Sequence, residues 1–303
     1  MKTMLVLSMG ALLLAGTLSA QTPVPEWQAG VDKMKSLIQT NPAQASEEVG
    51  ELLKGKNKKN VDLVTSVAHV YLDAGKLTEA QEYLAMAKKA NNKDPKVSVL
   101  EGDIALAQKN IGQACQLYEQ AIYFDPNCKE AYLKYAQAYK SASPALAIEK
   151  LEQLKAVDPN CLEADRELAE VYYSSNRFGK AAEMYAKFID TPLATEDDML
   201  KYAFALFLNH DFEKSLQVAQ KGLQKNARHA AFNRLVMYNN TDLKRYEDAE
   251  KAAHAFFNAS DRADYSYLDY RYYGALLSAL KKYDEAIIEL SLIHISEPTR
   301  LRR

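Results

Sequence analysis

The sequence predicts an all-α protein, an α-α superhelix in which antiparallel helix pairs stack into a solenoid. Three observations predict this fold class. Small residues recur about every 34 residues, large apolar residues flank them at helical spacing, and the 303 residues include only 11 Gly and 9 Pro. A repeated unit of this length cannot bury its apolar face alone, so neighbouring units must stack on one another.

Two series of small residues define the period, and they lie 12 residues apart in every unit but one, where the turn Lys140 to Pro144 has lost a residue. Ala or Gly at such positions lets two helix axes approach closely where they cross. The first series is Ala68, Gly102, Ala136, Ala169, Ala203, Met237 and Gly274, and the second is Ala80, Ala114, Ala147, Ala181, Ser215, Ala249 and Ala286.

Large side chains accompany both series and are expected to fill the core, because bulky residues at helical spacing are typical of a buried face. The sixth unit departs from the pattern, with Met237 and Asn240 where a small and a bulky residue are expected. The predicted core set is Tyr71, Tyr139, Tyr172, Leu206 and Leu277 in first helices, and Leu84, Tyr118, Leu151, Tyr185 and Leu290 in second helices.

The period and these motifs resemble the tetratricopeptide repeat (TPR) family, whose unit has about 34 residues. The resemblance covers residues 61–290, seven units of which the last is incomplete, and is clearest in EGDIALAQKNIGQACQLYEQAIYFDP. Pro126, Pro159 and Pro192 occupy the position at which the family ends its second helix. The predicted units are 61–94, 95–128, 129–161, 162–195, 196–229, 230–266, with a longer turn near residues 259–263, and 267 onward.

The N-terminal residues 1–20 have the pattern of a secretory signal peptide. Lys2 precedes an apolar segment, and Ser19-Ala20 provides a small-residue end, so cleavage near Ala20 would leave Gln21 first. We therefore expect an exported protein, in the periplasm of a Gram-negative bacterium, with no transmembrane span in the mature chain; a retained membrane anchor is the alternative. Residues 21–60 are expected to be a linker and a diverged helix pair that caps the array.

The C-terminal stretch Leu290–Arg300, LSLIHISEPTR, resembles the translation of a transposon-end sequencing adapter. It interrupts the last unit halfway along its second helix. We therefore expect residues 291–303 to be an artefactual tail and the natural protein to continue beyond Glu289; a genuine short tail is the alternative.

Composition and motifs argue against several classes of function. A formal charge of −2 lacks the basic excess typical of nucleic-acid binding. The sequence contains neither a Gly-rich phosphate loop nor a nucleophile elbow, and its histidines are dispersed: His69, His210, His229, His254 and His294. We therefore predict no enzyme, no catalytic or cofactor-binding residue, no cofactor and no metal site.

The resemblance to the TPR family implies that first helices line a concave groove. Arg and aromatic side chains are common interface anchors, so such a groove is expected to bind a protein or peptide that carries carboxylates. Ordinary solvated faces and packing aromatics are the alternative interpretation. The expected groove residues are Lys134, Arg166, Tyr173, Lys201, Phe204, Phe207, Arg234, Tyr238, Arg271 and Tyr272.

The sequence predicts an exported TPR scaffold that binds its partner through this groove. The alternative is that the repeats belong to a longer cell-envelope protein whose C-terminal part is enzymatic or glycan-binding. Self-association through the end of the array is a third interpretation.

Overall fold

The structure, a computed structural model, describes residues 24–260 and 265–293, and these ranges fold into consecutive α-helices. The predicted signal peptide and most of the predicted C-terminal tail lie outside them, as do residues 261–263 of the long turn. The helices are α1 Gln28–Leu37, α2 Pro42–Leu52, α3 Val61–Asp73, α4 Leu77–Asn91, α5 Pro95–Ala107, α6 Ile111–Phe124, α7 Lys129–Tyr139, α8 Pro144–Val157, α9 Leu162–Ser174, α10 Phe178–Phe188, α11 Glu196–Leu208, α12 Phe212–Lys225, α13 Ala230–Asp242, α14 Tyr246–Ala259, α15 Tyr267–Ala279 and α16 Tyr283–Ser291.

Each odd-numbered helix pairs with the even-numbered helix that follows it, and the pairs stack in chain order. The first helix of a pair packs on the second helix of the preceding pair. First helices also contact one another in succession, α3 to α9 and again α11 to α15. Because first helices approach each other, they line the inner, concave side of the superhelix, and second helices form its outer side. The predicted fold class is confirmed.

The small residues of both series are buried, and the glycines show why size matters there. A Cβ added to Gly102 would lie 2.5 Å from Cε1 of Tyr118, which is itself fully buried. Of the ten predicted large core residues, eight are buried and Tyr139 is partly buried. Leu290 differs: it packs against Gly274 but remains 38% exposed, on the outer side of the last described helix.

The turn within most helix pairs contains one residue with a left-handed backbone. Gly75 has φ +75°, and non-glycine residues hold equivalent positions with φ between 57° and 63°. The N–H of the residue after Gly75 donates to the carbonyl of Tyr71, which ends the helix in the usual left-handed cap. The third unit lacks such a residue, because its turn is the one shortened in the sequence. The non-glycine members are Lys109, Asn176, His210, Lys244 and Lys281.

The N-terminal pair α1 and α2 caps the first full unit by burying Val31, Met34 and Ile38 against it. Between this pair and α3, the lysine-rich segment Gly55–Lys59 forms an exposed 3₁₀ helix. Across the ranges that the structure describes, no helix combines the length and apolar character needed to cross a membrane.

Candidate partner-binding groove

The concave surface carries ion pairs that join neighbouring units, and the first is centred on Asp103 of α5. Its carboxylate lies 2.9 Å from Nζ of Lys134 and 2.9 Å from Nε2 of His69, and it accepts a hydrogen bond of 2.8 Å from the hydroxyl of Tyr118. Burial alone would raise the pKa of the Asp103 carboxyl, but the contacts with His69 and Lys134 outweigh burial and hold the pKa below its ordinary value. Asp103 is therefore ionised, and its contacts with His69 and Lys134 join three successive units.

The same arrangement recurs two units later around Glu170 of α9. Lys201 donates to both carboxylate oxygens of Glu170 at 2.9 Å, and the hydroxyl of Tyr185 donates to Oε1 at 2.8 Å. Lys201 also lies 2.8 Å from Asp197. Burial lowers the pKa of the Lys201 ammonium, yet its hydrogen bonds to Asp197 and Glu170 raise the pKa overall. Lys201 thus remains protonated, and the carboxylates of Glu170 and Asp197 balance its positive charge.

Two of the three groove arginines, Arg166 and Arg234, bind buried aspartates at the start of the next first helix. Arg166 pairs with Asp198, and Arg234 pairs with Asp269 through Nε at 2.8 Å and Nη2 at 3.1 Å. Each aspartate also completes a capping box, with Thr195 and Ser266 respectively. The side chains of Asp198 and Asp269 are 1% and 0% exposed, so these arginines have structural partners inside the molecule.

Arg271 is the exception among the predicted groove cations. Its side chain is exposed and its guanidinium lies 5.5 Å from the ring centroid of Tyr272. The described residues place no carboxylate within ion-pair distance of it. Among the predicted groove cations, Arg271 is therefore the one that can bind a partner's carboxylate without first breaking an ion pair with another described residue.

The predicted groove aromatics divide into buried and accessible members. Phe207 and Tyr238 are 7% and 2% exposed, because Tyr238 stacks on Tyr272 at 4.2 Å and Phe207 packs against both rings. Tyr173, Phe204 and Tyr272, by contrast, are only partly buried. The structure therefore brings Phe207, Tyr238 and Tyr272 into one cluster, with Tyr173 further along the groove.

The sequence analysis did not pair these cations with their carboxylates, although the spacing of the charges carries a signal. Each acid lies about one repeat from its base: 31 residues separate Lys201 from Glu170, 32 separate Arg166 from Asp198, and 35 separate Arg234 from Asp269. The cluster Glu196-Asp197-Asp198 provides favourable charge at the N-terminus of α11, and Asp198 in addition pairs with Arg166.

A search of the described chain for three or more His, Cys, Asp or Glu side chains grouped as metal ligands finds none. Cys115, Cys128 and Cys161 are all free thiols, and burial raises the pKa of the Cys115 thiol to about 11. A thiol with so high a pKa is protonated at neutral pH and is a poor nucleophile.

No protein-family model matches the chain, and a comparison with curated proteins finds no match. Solved structures do match. PilF of Pseudomonas aeruginosa is 15% identical over 66% of this chain and 91% of its own, with a TM-score of 0.53. PilW, described as a widely conserved type IV pilus biogenesis factor, is 17% identical over 68% of this chain and 95% of its own, also with a TM-score of 0.53.

A tetratricopeptide repeat protein from Parabacteroides merdae is 12% identical over 88% of this chain and 98% of its own, with a TM-score of 0.48. At identities of 15% and 17%, the similarity to PilF and PilW concerns the fold alone. Together with the 34-residue period, the buried small residues and the stacking of first helices, it identifies the architecture. The chain has the tetratricopeptide-repeat fold.

Proposed function

We propose that this chain is an exported scaffold that binds a protein or peptide in its concave groove and performs no chemistry of its own. The observation that carries the proposal is the set of accessible side chains on the first helices: Tyr173, Phe204 and Tyr272 are partly exposed, and Arg271 is an exposed cation that forms no ion pair with the residues that the structure describes. Aromatic and Arg side chains are the residues that most often dominate binding energy at interfaces.

The ion pairs of the groove favour such a role because they fix the surface in advance. Lys134, Arg166, Lys201 and Arg234 are each held by carboxylates of a neighbouring unit. A partner therefore meets side chains that have already lost their conformational freedom, which lowers the entropic cost of binding. The same pairs also limit where an acidic group of the ligand can bind. A partner's carboxylate gains most binding free energy at Arg271, because the other four predicted cations already have carboxylate partners.

The expected ligand is thus a peptide segment with apolar anchor residues and an acidic residue placed near α15. The ring surfaces of Tyr173 and Phe204 take the apolar side chains, and Arg271 takes the carboxylate as a charge-assisted hydrogen bond. All ten predicted groove residues remain part of the proposed surface, with Phe207 and Tyr238 supporting Tyr272 from beneath.

Selection of a random linear peptide library on the purified protein tests this proposal. We expect peptides that bind with a Kd on the order of 1 μM, measured by fluorescence anisotropy. The double variant Tyr173→Ala, Phe204→Ala should weaken the best peptide about tenfold or more, because it removes two central aromatic anchors.

Tyr123→Ala is the matched control, since Tyr123 is 82% exposed on the second helix α6 and lies away from the groove. It should leave the affinity unchanged. Equal affinities for the double variant, the control and the wild type, with unchanged helicity by circular dichroism, would reject the groove as the binding surface.

Export is proposed from the pattern of residues 1–20. A fusion of residues 1–26 to an alkaline phosphatase that is active only outside the cytoplasm tests it in a Gram-negative host. We expect phosphatase activity and a mature N-terminus at Gln21. Replacement of leucines in the apolar segment by lysine should abolish the phosphatase activity. Cytoplasmic retention of the unaltered fusion would contradict export.

A further inference from the structure

Successive second helices leave a groove on the outer side of the superhelix, and in the sixth unit this groove widens into an open cavity of about 540 Å³. Helices α12 and α14 form its walls, and α13 forms its floor. Buried Leu216, Val236 and Ala252 provide apolar surface there. The cavity is separate from the concave groove, because Asn240 lies two residues beyond Tyr238 and so on the opposite side of α13.

Asn240 is the polar group that this cavity leaves without a partner. The residue is 2% exposed and lines the cavity, yet its side-chain amide makes no hydrogen bond with any residue that the structure describes. The amide atoms of Asn240 are not among the fully buried side-chain atoms without a partner, which in the described residues are Ser175 Oγ, Asn239 Oδ1 and Ser260 Oγ, so the amide is open to the cavity. The amide offers one donor group and one acceptor to whatever occupies the cavity.

Asn233 supplies a second amide on the same face of α13. It is 4% exposed, and its Nδ2 donates to the carbonyls of Ala227 and His229 at 3.0 and 3.2 Å. These two bonds fix the orientation of the amide, so Oδ1 is the atom left to accept a hydrogen bond from a ligand. Seven residues, two helical turns, separate Asn233 from Asn240, a distance of about 10 Å along the groove.

Equivalent grooves in neighbouring units show that this polarity is not a general property of the fold. In the fifth unit Met199, Tyr202 and Leu206 stand where Asn233, Val236 and Asn240 stand in the sixth, and that cavity is smaller, about 330 Å³.

In the fourth unit Asp165 occupies the position of Asn233. Two lysines of the flanking second helices, Lys155 and Lys187, bind it at 2.8 and 3.2 Å. The sixth unit alone among these three keeps buried polar groups that face an open cavity.

The charges at the rim are balanced, which restricts the chemistry of the ligand. Arg245 is bound by Glu213, and Lys251 lies 3.0 Å from Asp248. The cavity thus presents no excess charge that would favour a carboxylate or a phosphate. An uncharged ligand with amide groups and an apolar side matches both the floor and the two asparagines.

We propose that this cavity, which we name the outer amide groove and define by Asn233, Val236 and Asn240, binds an uncharged, extended peptide segment through its backbone. A peptide group carries the same donor and acceptor as the asparagine amide. In a polyproline II conformation, groups three residues apart face the same side and are separated by about 9.3 Å. That spacing nearly equals the distance between the two asparagines, and an apolar side chain between the groups packs on Val236.

Titration of the full chain with the capped, uncharged hexapeptide acetyl-Gly-Ala-Pro-Leu-Ala-Gly-amide tests the proposal. The readout is the ¹H–¹⁵N correlation signals of asparagine side chains. We expect saturable shifts of the Asn233 and Asn240 signals with a Kd on the order of 1 mM or tighter. Asn240→Leu, which restores the residue type of the fifth unit at Leu206, should lower the affinity at least fivefold and raise the Tm.

Because Asn240→Leu is expected to fold more stably than the wild type, loss of binding in this variant cannot come from unfolding. Arg271→Glu, on the concave side, should leave the titration unchanged and so separates this site from the proposed groove function. The proposal is overturned if neither signal shifts saturably up to about 10 mM peptide. It is equally overturned if acetate or N-acetylglucosamine shifts both signals at lower concentration than the peptide does.

Discussion

Replacement of Asp269 by Asn should destabilise the protein more than any surface charge change. The Asp269 side chain is fully buried and accepts five hydrogen bonds, two from Arg234, one from Tyr238 and two from Ser266. Breaking a buried ion pair by removing one partner costs about 3–5 kcal/mol. Arg234 is 21% exposed, so water partly offsets the loss of the Asp269 charge, and we expect a value near the lower limit, about 3 kcal/mol.

Urea denaturation followed by circular dichroism at 222 nm measures this cost, and Glu213→Gln is the matched control. Glu213 pairs with Arg245 on the surface, with side chains 52% and 45% exposed, so its loss should cost less than about 1 kcal/mol. A second comparison uses Arg234→Met alone and together with Asp269→Asn. The double variant should lose clearly less free energy of unfolding than the sum of the losses in the two single variants. The reason is that either single change already breaks the ion pair between Arg234 and Asp269. A cost for Asp269→Asn no larger than that for Glu213→Gln would refute the reasoning.

Two further predictions concern core spacing and pH. Gly102→Ala should destabilise by about 1–3 kcal/mol in the same urea assay, because its Cβ would meet the buried ring of Tyr118; Gly112→Ala, with nothing within 4 Å, should be neutral or stabilising, and equal costs would contradict the packing argument. Burial lowers the pKa of His69, but the hydrogen bond and charge of Asp103 raise it above 6.5 overall, so its stabilising contribution is full below the unfolded pKa and is lost as pH rises through the folded pKa. As pH rises above the unfolded pKa of about 6.5, stability should therefore fall more in the wild type than in His69→Gln, and parallel pH profiles would count against this pairing.

The period of small residues sufficed to predict the helix pairs and most of the core. Ala136 and Ala169, for example, are small because helices cross there, and this requirement is local enough to leave a pattern in the chain. The turn residues are different. The backbone at Lys109 and at His210 is left-handed because the turn between the two helices of a pair requires this conformation at that position. The identity of the two side chains does not indicate it.

The candidate groove was less predictable, since it depends on how deeply one unit covers the next. Position on the helix assigned Tyr238 to the concave side, but the stacked ring of Tyr272 and the carboxylate of Asp269 cover it. The ion pairs likewise join residues of different units. Lys201 meets Glu170 only because α9 and α11 are stacked in one particular register, which the spacing of charges suggests but does not determine.

Hydrogen–deuterium exchange of the protein with and without a selected groove peptide tests the central proposal most directly. Binding in the concave groove should slow exchange in the first helices α9, α11 and α15, whose side chains would contact the peptide, and leave the second helices α10 and α12 unchanged. Protection confined to second helices, or a bound peptide that slows exchange in none of the first helices, would contradict the proposed groove.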